Sequence, residues 1–388
     1  MNKEDVREML ESNFAYLQSM SVKEYTLYRK WVDIREKFPV TNTESSDFFD
    51  EPFDQYKHLK SIKSNIWLPK NPEDYLKLEP ALILAKDKET SGIWNNLRDM
   101  CHSASWHASP GRLLRYYVID KVTGKFLGFI SIGSDFIGVG GRDAYIGWTM
   151  EDRMKGGRLK STAMGSSIAA TQPFGFNYNG GKLIALLVAS DTVENDWNSR
   201  YAEPLVGLTT TSLYGGGSMY NRLSYWRKCK STMGNIPIEP SDDVYEAIRA
   251  WFIENYYEEY KRVTKPKNDT PSGIGCHTKS TVLSNVCKLT GIKPPVNNAP
   301  RGVYWNELFV NTKDFLCRRT DKLGDRKYDN SVAALTQLWK EKYASKRVEN
   351  VIKDGRWAKD ILFYEDMIYE PWETIKRRYF NEVPEISE

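Results

Sequence analysis

Apolar residues recur every three to four positions at the start of the chain: Val6, Leu10, Phe14 and Leu17, then Tyr25, Tyr28, Trp31 and Val32. This spacing predicts two helices reaching about residue 38, broken near Ser19 to Ser21. From 41 to 80, acidic and aromatic residues alternate among several prolines, which predicts an irregular segment on the surface. A further helix is expected over about 92–103, closing before Pro110-Gly111.

The pattern then shortens. Residues 113–119 and 125–132 are rich in β-branched and aromatic side chains and flank the turn cluster Asp120-Lys121-Val122-Thr123-Gly124, which predicts a hairpin. A short strand is expected over 143–150, after Gly138-Val139-Gly140-Gly141, and another over 166–176. Residues 177–182 read as a Gly-rich loop. The helix after it carries Leu183, Leu186, Leu187, Val193, Trp197 and Tyr201 at apolar positions. A strand over 205–212 and a helix over 220–230 complete a strand–loop–helix–strand–helix core at about 91–235.

Ser241 then caps a long helix, with Asp242 and Asp243 in its first turn and Lys261 and Arg262 in its last, charges suited to the helix dipole. Residues 264–275 are rich in Pro, Asn, Asp and Gly and predict a linker. The rest is mostly helical, including 331–347. Three consecutive segments are therefore expected: an extension over 1–90, an α/β core over 91–235 and a mostly helical region over 236–388.

Composition narrows the class. The 388 residues are 40% hydrophobic and 27% charged, as in folded soluble proteins. A net charge of +4 is mildly basic, so the distribution of cations matters more than their total. Five scattered cysteines do not form a disulfide framework and suit a reducing compartment. There is no signal-like or membrane-length apolar run, and a cytoplasmic protein is expected.

Several segments carry candidate chemistry. Asn177-Tyr178-Asn179-Gly180-Gly181-Lys182 leaves a strand and opens a helix, where free amides and a lysine could cradle a phosphate. It matches neither common nucleotide-binding glycine motif, and an ordinary tight connection is the alternative. Arg142 could hold a phosphate and Trp148 could stack a base, or Arg142 and Asp143 could form a structural ion pair. Arg153, Lys155, Arg158 and Lys160 could track a phosphate backbone or line a solvated loop. The run 220–230 combines Arg222, Arg227, Lys228 and Lys230 with Tyr220, Tyr225 and Trp226, and contains no acidic residue. Neither Cys101-His102 with His107 nor Cys276-His277 with Cys287 has zinc-ligand spacing, so no metal is expected. His107 remains a candidate general base.

The order of these motifs resembles the DruA family of Druantia anti-phage systems, over about 91–235 with an echo at 302–308. The residues that carry it are Arg142, Asp143, Ile146, Gly147 and Trp148, then Asp196, Trp197 and Tyr201, then Tyr220, Tyr225, Trp226, Thr232 and Gly234. The same layout is similar to Mom-type phage DNA-modification proteins and, more distantly, to GNAT-type acyltransferases. The resemblance implies a GNAT-like mixed-sheet α/β core flanked by helical extensions, with Asn177, Asn179, Gly180, Gly181 and Lys182 where such folds hold a cofactor pyrophosphate. The resemblance implies phage or anti-phage biology, and together with the cationic, aromatic-bearing segments it leads to the expectation of a DNA-binding protein with Arg142, Trp148, Arg153, Lys155, Arg158, Arg222, Trp226, Arg227 and Lys228 at the DNA. One alternative is a base-modifying transferase using acetyl-CoA or another acyl-CoA, with Tyr214 or Tyr220 as proton donor. Mom-type proteins carry an acidic residue on the strand matching Leu208 to Ser212, where this chain has hydroxyls. Another alternative is an inert module that docks a protein partner through its helical flanks.

Overall fold

The computed structural model describes residues 1–21, 24–25, 27–28, 31, 65–101, 111–212, 218–264, 278–293, 295–355, 357 and 376. The chain forms two compact units: Met1–Thr26 with Met233–Pro300, and Leu27–Thr232 with Arg301–Glu388. Each unit is built from two separate stretches, whereas the three expected segments are consecutive.

Helix α1 (Lys3–Gln18) starts at a capping box in which the Asn2 side chain accepts the Glu4 and Asp5 amides. It stops at Ser19, at the expected break. Strand β1 (Pro80–Leu84) begins where the stretch expected to be irregular ends. Its apolar run is only five residues long, too short for periodicity to announce. Helix α2 (Lys88–Cys101) precedes the expected hairpin of β2 (Leu113–Asp120) and β3 (Phe126–Ser134).

A strand was expected over 143–150; the structure has helix α3 (Gly140–Ile146) and the one-turn α4 (Met150–Arg153) instead. The Asp143 carboxylate caps α3 by accepting the Val139 amide, and Gly147, at φ +82°, ends it. Strand β4 (Thr162–Ala170) leads into α5 (Phe174–Tyr178), α6 (Gly180–Leu187) and α7 (Asp191–Tyr201), then into β5 (Gly207–Thr211).

The helix expected over 220–230 is absent. Turns lead there into strand β6 (Trp226–Lys228), because Arg222 and Tyr225 take left-handed backbone angles that no α-helix tolerates. Strand β7 (Thr232–Pro237) follows. The long helix expected from Ser241 breaks at Tyr256 into α8 (Asp242–Asn255) and α9 (Tyr257–Thr264). The linker expected over 264–275 lies, apart from Thr264, outside the described residues. Next come α10 (Thr278–Thr290), β8 (Val296–Arg301), β9 (Val303–Glu307), α11 (Thr312–Leu316) and α12 (Val332–Trp339). A π-helical turn, Lys340–Ala344, then leads to α13 (Ser345–Lys353).

The larger unit is a mixed seven-stranded sheet, ordered β1-β2-β3-β4-β5-β9-β6. All its neighbours are antiparallel except β4 and β5, whose parallel pairing needs the crossover through α5, α6 and α7. That pairing spans only Thr162–Gly165 against Gly207–Thr210. Register slips between β3 and β4 at Ser166, which faces no residue of β3 in the ladder and is exposed. Helix α6 is apolar nearly all round, and Leu183 to Leu187 are buried, as befits a helix at the heart of a core. In sequence, the second stretch of the smaller unit, Met233–Pro300, lies between β6 and β9, and the first stretch precedes the larger unit. Within it, α1 buries Val6, Leu10, Phe14 and Leu17, α8 buries Ile248, Trp251 and Phe252, and Asn13 exchanges two hydrogen bonds with Ser241.

Candidate nucleic-acid interface

The structure separates the candidate cations into an interior group and a surface group. Arg142 is wholly buried. Its Nη1 lies 2.6 Å from Asp135 Oδ1, its Nε donates to Asp143 Oδ1 at 2.8 Å and its Nη2 to the Phe136 carbonyl at 2.9 Å. Arg153 pairs with the other oxygen of Asp143, Trp148 Nε1 donates to Asp143 at 2.9 Å, and Thr209 donates to Asp135 at 2.8 Å. Two guanidinium groups thus neutralise two carboxylates, and the Arg142 guanidinium lies 5.2 Å from the Trp148 ring centroid. This knot ties the end of β3 to α3, α4 and β5. Of the two readings offered for Arg142, the structure holds the ion pair with Asp143, and Arg142, Arg153 and Trp148, all expected at the DNA, are buried in this knot. Burial works to raise the Asp143 carboxyl, but Arg142, Trp148 and the Val139 amide outweigh it and hold the group below its ordinary range.

The loop at the head of α6 is closed by the protein itself. The Asn179 carbonyl accepts Trp339 Nε1, its side-chain amide donates to the Tyr343 carbonyl, and a Cβ on Gly180 would lie 2.3 Å from the Phe174 ring. Asn177 is fully buried, and neither polar atom of its side chain has a partner. Lys182 Nζ donates to the carbonyls of Met219 and Asn221, both at 2.7 Å. These residues do not fit a cofactor pyrophosphate: the lysine is turned inward and the glycine face is packed. Tyr220 is also interior, between Trp226 and Tyr304, and burial pushes its phenol far up. Tyr214 and His107 lie outside the described residues, as do His102, Cys276 and His277.

What Lys182 grips is the turn before β6. Tyr304 holds the Asn221 side chain at 2.7 Å, the Tyr343 hydroxyl donates to the Arg222 carbonyl and accepts the Ser224 amide, and Asn306 Nδ2 donates to the Tyr225 carbonyl. Trp226, another expected DNA contact, is buried and donates Nε1 to the Ala185 carbonyl at 3.1 Å. The turn is therefore pinned from inside at almost every residue. Such pinning supports two non-glycine residues at φ +57° and +68°, Arg222 and Tyr225, at a cost of about 1–2 kcal/mol each.

Its outer side carries the charge. Arg222, Arg227, Lys228 and Lys230 are exposed, and none forms an ion pair among the described residues. Arg227 lies over the Tyr145 ring at 4.6 Å, and Lys313 lies over the same ring at 3.5 Å. Lys155 is exposed as well, whereas Arg158 pairs with Asp321 and lies on the Phe315 ring. Tyr225, one of the three aromatics of the cation-rich run 220–230, is 42% exposed, whereas Tyr220 and Trp226 are buried. A left-handed tyrosine leaves no periodicity by which to find it.

The family model described as Druantia protein DruA matches residues 70–317. A protein of Escherichia coli (strain UMEA 4076-1) named Druantia protein DruA is 32% identical over 159 residues, which cover 38% of this chain and 39% of that protein's length. No solved structure matches the chain significantly. Among the described residues, no helix is long and apolar enough to cross a membrane.

Two outcomes follow from this geometry. Replacing Arg142 by Met strands the buried Asp135 carboxylate without a charge partner and leaves Asp143 to Arg153 alone, and urea unfolding is expected to show a loss of about 3–5 kcal/mol. A loss below about 1 kcal/mol would mean that the knot is not a unit. Burial first, and the Arg222 guanidinium second, lower the Lys182 ammonium to about 8 from the ordinary 10.5. Between those values the unfolded chain holds more protons than the folded one, so this contribution to stability is present above the higher value and lost as pH falls through about 8. Unfolding midpoints compared with those of Lys182→Met are expected to rise more steeply in the wild type over that interval.

Proposed function

The chain belongs to the Druantia DruA family, and from that footing we propose that it is an anti-phage defence protein that binds nucleic acid through β6 and the turn before it. The observation that carries this reading is the exposed set of Arg222, Arg227, Lys228 and Lys230, without ion pairs among the described residues, on β6, the residues after it and a turn before it that is held from inside. Cations carried on a backbone fixed in this way suit phosphates, because each contact releases a counterion and little backbone ordering remains to be done on binding. The buried Arg142–Arg153 knot takes no part in contact; it holds the sheet end and the α3–α4 segment in place. Lys155 lies outside this turn and is a secondary candidate for phosphate contact.

A second reading, a GNAT-like transferase core, draws support from the parallel β4–β5 pair joined through helices, with an exposed bulged serine, Ser166, where the pairing ends. Titration calorimetry with acetyl-CoA tests it, and an absence of heat would leave the core as a scaffold.

For the main reading, anisotropy of labelled DNA across a salt series is expected to give a steep log–log decline. Arg227→Ala with Lys228→Ala should weaken binding about equally for unrelated sequences and lower the slope by about 1 for each phosphate no longer neutralised. A wild-type slope near zero would exclude phosphate binding by this surface.

A further inference from the structure

The same surface displays one aromatic ring in an unusual setting. Tyr225 is stacked face to face on Tyr328, with ring centroids 3.7 Å apart and planes 4° from parallel. A single fully buried side chain, Asn306, aligns both partners: its Oδ1 accepts the Tyr328 hydroxyl at 2.7 Å and its Nδ2 donates to the Tyr225 carbonyl at 3.1 Å. Tyr225 itself is held at φ +68°, a backbone setting that glycine adopts freely and tyrosine does not. Core packing does not explain the arrangement, because Tyr225 stays 42% exposed while Trp226, its neighbour, is buried.

We propose that Tyr225 is a fixed stacking platform for an unpaired base, so that the partner of this surface is single-stranded nucleic acid. The inference rests on the nucleic-acid reading above and narrows it. Bases within a duplex have both faces covered by their neighbours and offer only their edges to a protein. A single strand offers faces, and an aromatic ring already ordered by a stacked partner loses little freedom on meeting one. Arg222 stands three residues before the ring, with Arg227 and Lys228 two and three after it, all exposed. Phosphates flanking a stacked base would therefore meet cations on either side along the chain. The interior contacts of Lys182, Tyr343 and Asn306 make the platform rigid without occupying its outer side.

The test uses the full chain and a labelled oligothymidylate, with a blunt duplex for comparison. Tyr225→Gly removes the ring while suiting the left-handed backbone, so the turn keeps its shape; Tyr225→Trp restores a stacking surface. The expected result is a loss of about 5- to 100-fold in oligothymidylate affinity for Tyr225→Gly, recovery in Tyr225→Trp, and little change for the duplex. A fluorescent adenine analogue within the strand should be quenched by the wild type and not by Tyr225→Gly. If Tyr225→Gly binds the oligonucleotide within twofold of the wild type while Arg227→Ala weakens it, the platform is overturned and the cationic reading stands. Equal losses on duplex and single strand would also overturn it, and no binding by any form would overturn both.

Discussion

The ammonium group of Lys182 sits where the carbonyls of Met219 and Asn221 converge, and the surface beyond that turn takes its shape from this grip. A half-buried lysine is costly unless its hydrogens find acceptors. Here the acceptors belong to a turn that would otherwise have no reason to hold two left-handed residues. Tyr343 and Asn306 complete the fixation from helical and β-sheet neighbours. The strain at Arg222 and Tyr225 is thus borne by the core, and its visible product is a stiff edge carrying positive charge and one aromatic ring.

Neutralisation elsewhere makes that edge stand out. Arg142 and Arg153 meet Asp135 and Asp143, Arg158 meets Asp321, Arg326 meets Glu194, and Lys327 meets Glu307. A modest excess of four positive charges over the chain is therefore not spread evenly. Cations with carboxylate partners contribute to packing, while those on the β6 edge keep their field for an outside partner.

Local chemistry made part of this legible in the sequence. The β2–β3 hairpin follows from strand-like composition around a turn cluster, the helical character of 183–201 from apolar spacing, although as one helix where the structure has α6 and α7, and the family from the order of motifs around Arg142 and Trp197. Non-local chemistry hid the rest. Arg142 reads as a phosphate ligand until Asp135, just past β3 and itself held by Thr209 of β5, closes on it, and Lys182 reads as a ligand cation until the carbonyls of a turn far along the chain take it. Residues 220–230 mix cations and aromatics at helical spacing, yet Trp226–Lys228 pair as an edge strand with β9, from which Met233–Pro300 of the smaller unit separates them in sequence. Side-chain spacing gives no sign of a backbone held left-handed by groups from elsewhere in the chain.

Photo-crosslinking of a bromodeoxyuridine-containing single strand to the full chain, with peptide mapping, tests the central claim most directly. The expected result is adduct on the peptides spanning 218–230, centred on Tyr225 and abolished in Tyr225→Gly. Adducts confined to other segments, with 218–230 unmodified, would contradict it.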